Sequence, residues 1–94
     1  VRCPIKRLNL LGERYSVARG RIKEFGIVDY DRGRIILRPK QSTDQARDTL
    51  LHEVIHAIDH TNSLELNEHQ VRTMATGLRA VFTANTKFAK WVSE

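Results

Sequence analysis

The stretch from Thr43 to His60 reads as one helix and carries His52-Glu53-Val54-Ile55-His56, two histidines four residues apart with a carboxylate just after the first. An α-helix turns about 100° per residue, so the two imidazoles differ by about 40° and stand one turn apart on the same side. Side chains placed this way can grip one ion. With His52 as origin, Thr49, Glu53, Asp59 and His60 fall within roughly 100° of it, while Leu50, Leu51, Val54, Ile55, Ala57 and Ile58 take the opposite side. The helix is therefore expected to have an apolar back and a ligand-bearing front.

The residue types indicate which chemistry this front serves. Neutral imidazole nitrogens suit Zn2+, and a site with only three protein ligands keeps a coordination position for water, whose pKa the metal lowers to about 7. Glu53 is offset from the histidine pair, where its carboxylate reaches such a water without binding the metal; it is the expected general base. The bland alternative is a surface helix that happens to carry two His and one Glu. Such a match arises by chance in roughly one of a few hundred chains this long, and here it also falls in phase with an apolar stripe.

A chain of 94 residues is expected to form one domain over 1–94, mainly β in 1–40 and mainly α in 41–94, with room for one modest core. Its 40% hydrophobic and 29% charged residues are ordinary for a globular protein. No apolar run approaches the roughly 18 residues needed to cross a bilayer, and the basic residues Val1 to Arg7 are followed by no signal-peptide core. The expected compartment is the cytoplasm, and the single Cys3, which has no partner for an internal disulfide, agrees with that. Residues 1–40 hold 11 Lys and Arg against 4 Asp and Glu, whereas 41–94 hold 5 against 7. A basic amino-terminal half can attract nucleic acid or an acidic peptide; a solvated strand surface explains it equally well, and nucleic acid is not the favoured partner.

Along the chain, Leu8–Leu11 and Arg14–Arg19 suit two short strands meeting near Gly12 and Glu13, and Ile27–Tyr30 and Arg34–Arg38 suit a hairpin turning at Gly33. Ile35, Ile36 and Leu37 lie on the last strand before the metal helix. If that strand is a sheet edge, an extended peptide can pair with it; if it is interior, none can. Ser42 with Gln45 caps the helix that follows, which is expected to end between Asp59 and Asn62. A second helix should run from Glu68 to about Thr83, opened by Asn67 and Gln70 as a capping box and by Leu66 and Val71 as a hydrophobic staple. Val71, Met74, Ala75, Leu78, Val81 and Phe82 form its expected inward face. Asn85 or Thr86 should start a short last helix whose Phe88, Trp91 and Val92 pack back onto the domain. The expected fold is α+β, a small antiparallel or mixed sheet followed by two main helices and a short third.

A third ligand must come from His60, Glu65, Glu68 or His69. Three ligands stacked along one straight helix span about 12 Å, too far for one ion with bonds near 2 Å, which disfavours His60. On the second helix Glu68 lies roughly 60° to 80° from the centre of the apolar stripe, while His69 falls almost opposite. Glu68 is the expected ligand, its other reading being an acidic residue that stabilises the helix dipole. His69 faces solvent or, turned inward, polarises a substrate carbonyl. Asp59 and His60 are read as surface groups or as hydrogen-bond partners of a ligand imidazole. Tyr30 is read as a structural tyrosine, with stabilisation of an oxyanion as the alternative.

The order of elements, with Leu50-Leu51-His52-Glu53-Val54-Ile55-His56-Ala57 and then Asn67-Glu68, resembles the minimal gluzincins, in particular the small zincin-like ImmA/IrrE metallopeptidases of phages and mobile elements. The resemblance covers roughly residues 27–82. It implies zinc held by His52, His56 and Glu68, water activated by Glu53, a regulatory protein as substrate, and the host cytoplasm as location if a phage encodes the chain. Longer members carry appended DNA-binding or sensory domains for which these 94 residues leave no room. The SprT-like metallopeptidases are a second resemblance; they commonly use a third His, which would put His69 or His60 in place of Glu68. The competing class is a non-catalytic zinc-containing module that binds protein or nucleic acid.

Overall fold

Strand β2 (Glu13–Arg19) buries Tyr15 and Val17 and exposes Ser16 between them, the period of two that lets one face of a sheet be covered. It pairs antiparallel with β1 (Arg7–Leu10) through a tight turn in which Leu11 and Gly12 both take positive φ. The Asn9 side-chain oxygen accepts the Gly12 N–H there, 2.9 Å away. A second hairpin joins β3 (Gly26–Asp29) to β4 (Arg34–Leu37), with Gly33 at φ 61° and the Asp29 carboxylate accepting the Arg32 N–H. These elements come from a computed structural model that describes residues 3–94; Val1 and Arg2, the start of the basic segment, lie outside the described residues.

The sheet order is β1-β2-β4-β3, with β2 and β4 parallel and the other pairs antiparallel, so the sheet is mixed and the α+β expectation holds. One consequence corrects the sequence reading. β4 is paired on both sides, and Ile35 and Leu37 are 0% and 2% exposed, so the strand of Ile35, Ile36 and Leu37 has no free edge to offer a peptide. The free edge nearest the helices belongs to β3. The reversal arises because β4 takes the parallel place beside β2, which local residue patterns do not reveal.

Helix α1 (Thr43–Asn62) packs on one face of the sheet. Leu50, Val54 and Ala57 join Tyr15, Val17, Ile35 and Leu37 in one core cluster, while Leu51 and Ile55 join Val71, Ala75 and Leu66 in another. The helix is thus buried on two sides, between the sheet and α2 (Glu68–Ala84). Completely burying a side chain such as Ile35 or Val71 is worth about 1.5–3 kcal/mol. The caps behave largely as the sequence implies. Ser42 Oγ accepts the Gln45 N–H, and Asn67 and Gln70 form a reciprocal capping box. The Gln45 side chain does not return to Ser42; its amide donates to Thr49 Oγ1 instead. α1 ends two residues past His60, with Ser63 rather than Asn62 in the left-handed conformation.

A buried polar chain fastens strands to helix. The Gln41 amide donates to the carbonyls of Phe25 and Arg38, 2.9 Å and 2.7 Å away, and Gln41 Oε1 accepts from Thr49 Oγ1. The Gln41 side chain therefore holds the start of β3 and the end of β4 against α1. At the far end of the helices, Arg79 on α2 pairs with Asp44 and Asp48 on α1.

The apolar stripe of α2 is covered only along one side. Val71 and Ala75 are buried against α1, but Met74, Leu78 and Val81 are exposed, because α1 covers only one side of α2 and the sheet makes no contact with it. Helix α3 (Thr86–Ser93) buries no residue, and Phe88, Trp91 and Val92 stay exposed rather than packing back onto the domain. Phe88 meets only the edge of this surface through Phe82, with ring centroids 6.2 Å apart. Among the described residues, no helix is long and apolar enough to cross a membrane.

Two glycines make opposite stability predictions. A Cβ at Gly26 would lie 2.6 Å from Thr49 Cγ2 and 3.1 Å from Glu53 Oε2, so Gly26→Ala should push β3 off α1 at a cost of about 1–3 kcal/mol. A Cβ at Gly77, inside α2, meets nothing within 4 Å, so Gly77→Ala should stabilise by about 0.5–1 kcal/mol. Denaturant unfolding of the metal-free protein measures both; shifts of the same sign would contradict the packing described.

Candidate metal centre

Two turns of α1 and the first turn of α2 meet at one point. The His52 and His56 Nε2 atoms lie 3.1 Å apart, and the Glu68 carboxylate reaches across from α2 to contact both rings, its Oε2 3.2 Å from His56 Nε2. One donor atom from each of these residues falls within 4.8 Å of the other two, and this group could hold a metal ion. The chemistry of the set agrees. Ligands arranged tetrahedrally at bond lengths of about 2.0–2.1 Å are separated by about 3.3 Å, close to the spacings between His56 and its two neighbours.

The connection between the helices explains why Glu68 arrives there. Leu66 and Val71 pack with Ile55 and Leu51, so the start of α2 is pinned beside the back of the histidine-bearing turns. The Asp59 carboxylate accepts the Leu66 N–H at 3.4 Å, and the Asp59 carbonyl accepts from Ser63 and Leu64, folding the loop tightly onto the end of α1. Asp59 therefore braces the loop rather than a ligand imidazole, contrary to one sequence reading. Glu68 itself is half exposed. Burial alone would raise its carboxyl, but hydrogen bonds and charges from His56 and His52 outweigh that and hold it below the usual carboxylate range.

Glu53 sits beneath this group rather than on an open front. It is 5% exposed, covered by β3 at Gly26, where the missing side chain lets the strand backbone approach. Burial raises its carboxyl to about 7; the nearby His56 opposes the rise, and Glu68 and Glu24 add to it. A carboxyl in that range takes and releases a proton near neutral pH. It makes no contact with the histidine–carboxylate group of the kind that Glu68 makes, which leaves it free for such a role.

The remaining residues stand outside the ligand group, Tyr30 as a structural tyrosine and His69 toward solvent, as the sequence suggests. The Tyr30 hydroxyl donates to the His56 carbonyl at 3.2 Å, and its ring stacks on His60 with centroids 3.8 Å apart. Tyr30 thus supports the second turn of the motif and lines the cleft, while His60 is occupied by this stack outside the ligand group. Burial raises the Tyr30 hydroxyl further above its ordinary value, with Glu53 adding to the shift. His69 is exposed and stands outside both the ligand group and the cleft. The replacement of Glu68 by His69 or His60 that the SprT-like resemblance would require is not what the fold brings together.

The group opens into a cleft of about 800 Å³ between two walls. Gly26, Ile27, Val28 and Tyr30 form the strand wall, and Glu68, Arg72, Ala75 and Thr76 the α2 wall, with Thr49, His52, Glu53 and His56 between them. Helical phase had already put Thr49 on the front of α1, whereas Gly26 and Arg72 carried no sequence signal for the site; the close approach of β3 to α1 reveals Gly26. No protein-family model, curated protein or solved structure matches the chain. The assignment therefore rests on fold and site geometry.

Glu68→Ala should weaken metal binding by more than the roughly 10–100-fold that supporting residues cost, whereas His69→Ala should leave it unchanged, both read by chelator competition. Stability without metal gives a second check. A carboxyl raised from 4.5 to about 7 on folding binds more protons in the native state, so native stability falls as pH rises between these values. Glu53→Gln removes that loss. Relative to wild type, the variant should gain up to about 3 kcal/mol between pH 4.5 and pH above 7. A pH-independent difference would mean that Glu53 is not buried as described.

Proposed function

We propose that the chain is a zinc-dependent metallopeptidase of the minimal gluzincin type, resembling the ImmA/IrrE-like enzymes, and that it hydrolyses peptide bonds of a protein substrate. The observation that carries this reading is the convergence of His52, His56 and Glu68 beside a separate buried carboxylate, Glu53. Two imidazoles and one carboxylate form a donor set suited to zinc, and three protein ligands rather than four distinguish a reactive site from a purely structural one. Zinc, when bound there, supplies Lewis acidity, polarising a carbonyl and acidifying water.

The protein's own residues supply the rest. Glu53, buried beside the candidate ligands, takes the proton of the attacking water and passes it to the leaving amine. The free edge of β3 offers backbone N–H and C=O groups to an extended peptide, aligning it along the cleft without demanding a particular sequence. Tyr30 anchors the turn that carries His56. β3 thus takes the place that the sequence reading gave to Ile35, Ile36 and Leu37.

The decisive comparison is zinc content and cleavage of unfolded casein by wild type and Glu53→Gln. Both proteins should carry about one zinc per chain, and the variant should lose at least about 100-fold in rate. Undiminished turnover would remove Glu53 from the chemistry, and a zinc-loaded wild type inactive on every unfolded protein tried would point to a metal-dependent binding module.

A further inference from the structure

Arg72 stands one turn beyond Glu68 on the α2 wall, about 6 Å further along the helix. Apart from the histidines, it is the one cationic side chain lining the cleft among the described residues. Every nearby carboxylate is engaged elsewhere or out of the way. Glu68 turns from its position four residues before Arg72 toward the two histidines, Asp48 pairs with Arg79, and Glu53 is buried under β3. Glu24 belongs to the opposite, strand-side wall. Arg72 forms no ion pair among the described residues.

We propose that Arg72 makes this cleft selective for a carboxylate on the bound peptide, held about two residues from the bond presented to the metal group. The inference rests on the peptidase reading for its substrate class. An extended chain rises about 3.3 Å per residue, so a 6 Å offset along the α2 wall corresponds to roughly two residues. Arginine is the side chain suited to this work, because its planar donors match a carboxylate in two parallel hydrogen bonds. The carboxylate has two possible sources, an Asp or Glu side chain and a free peptide C-terminus.

The test uses zinc-loaded Glu53→Gln protein and fluorescein-labelled decapeptides of Gly, Ala and Leu. One set has an amidated C-terminus with a single Glu moved through every position, a second has a free C-terminus and no Glu, and a third carries Lys in place of Glu. Fluorescence anisotropy should show about tenfold tighter binding for Glu at one or two positions, or for the free C-terminus, than for the neutral amide. Added Arg72→Met should abolish that preference while leaving neutral peptides unchanged, and Arg72→Glu should transfer it to Lys at the same position. A carboxylate held by the metal itself would survive Arg72→Met, so a persisting preference overturns the inference, as does equal loss for all peptides or no binding by any. Cleavage of neutral amides by the parent enzyme, equal to that of the Glu peptides and unaffected by Arg72→Met, would overturn this inference and leave the peptidase reading intact. Arg72-dependent binding with no cleavage of any peptide would do the reverse.

Discussion

Helix α1 is held from two directions, by the sheet through Leu50, Val54 and Ala57 and by α2 through Leu51 and Ile55. These contacts fix its rotation, since turning the helix by one residue would carry about 100° of apolar surface into water. With two sides committed, the strip bearing His52, Glu53 and His56 can face only the gap between β3 and α2. The same packing that seats Val71 against Ile55 brings the first turn of α2 over the histidines. Glu68 becomes a neighbour of residues 12 and 16 positions earlier because a hydrophobic contact behind it leaves the start of α2 no other place.

The site works against the stability that encloses it. A buried carboxyl costs free energy when ionised, and Glu53 accepts that cost because β3 closes over it. The closure depends on Gly26, where any larger residue would meet Thr49, and on Gln41, whose side chain ties the Phe25 and Arg38 carbonyls to Thr49. Strand edge, polar chain and the Glu53 carboxyl thus form one unit. The result is a buried carboxyl shielded from bulk water beside three side chains that could hold a metal ion and remain partly open.

The outer half of the helical layer follows another logic. Met74, Leu78 and Val81 on α2, with Phe88, Trp91 and Val92 on α3, present apolar surface that neither the sheet nor α1 reaches. Amphipathic periodicity correctly placed these residues on one side of their helices. It did not tell whether that side would be covered, because periodicity reports only the side on which apolar residues lie.

The local signals were legible in order and type. Hairpins at Gly12 and Gly33, helix starts at Ser42 and Asn67, and the ligand face of α1 follow from turn chemistry, capping and helical phase, all of which act over a few residues. Even Glu68 could be chosen over His69 by phase alone, since both belong to one helix. What required the tertiary structure was everything set by contact between distant segments. β4 lies inside the sheet and β3 at its edge, Glu53 is buried rather than open, Asp59 braces a loop, and Tyr30 pairs with His60. Strand order and burial depend on the summed packing of segments far apart in the chain, and no short window of residues contains that sum.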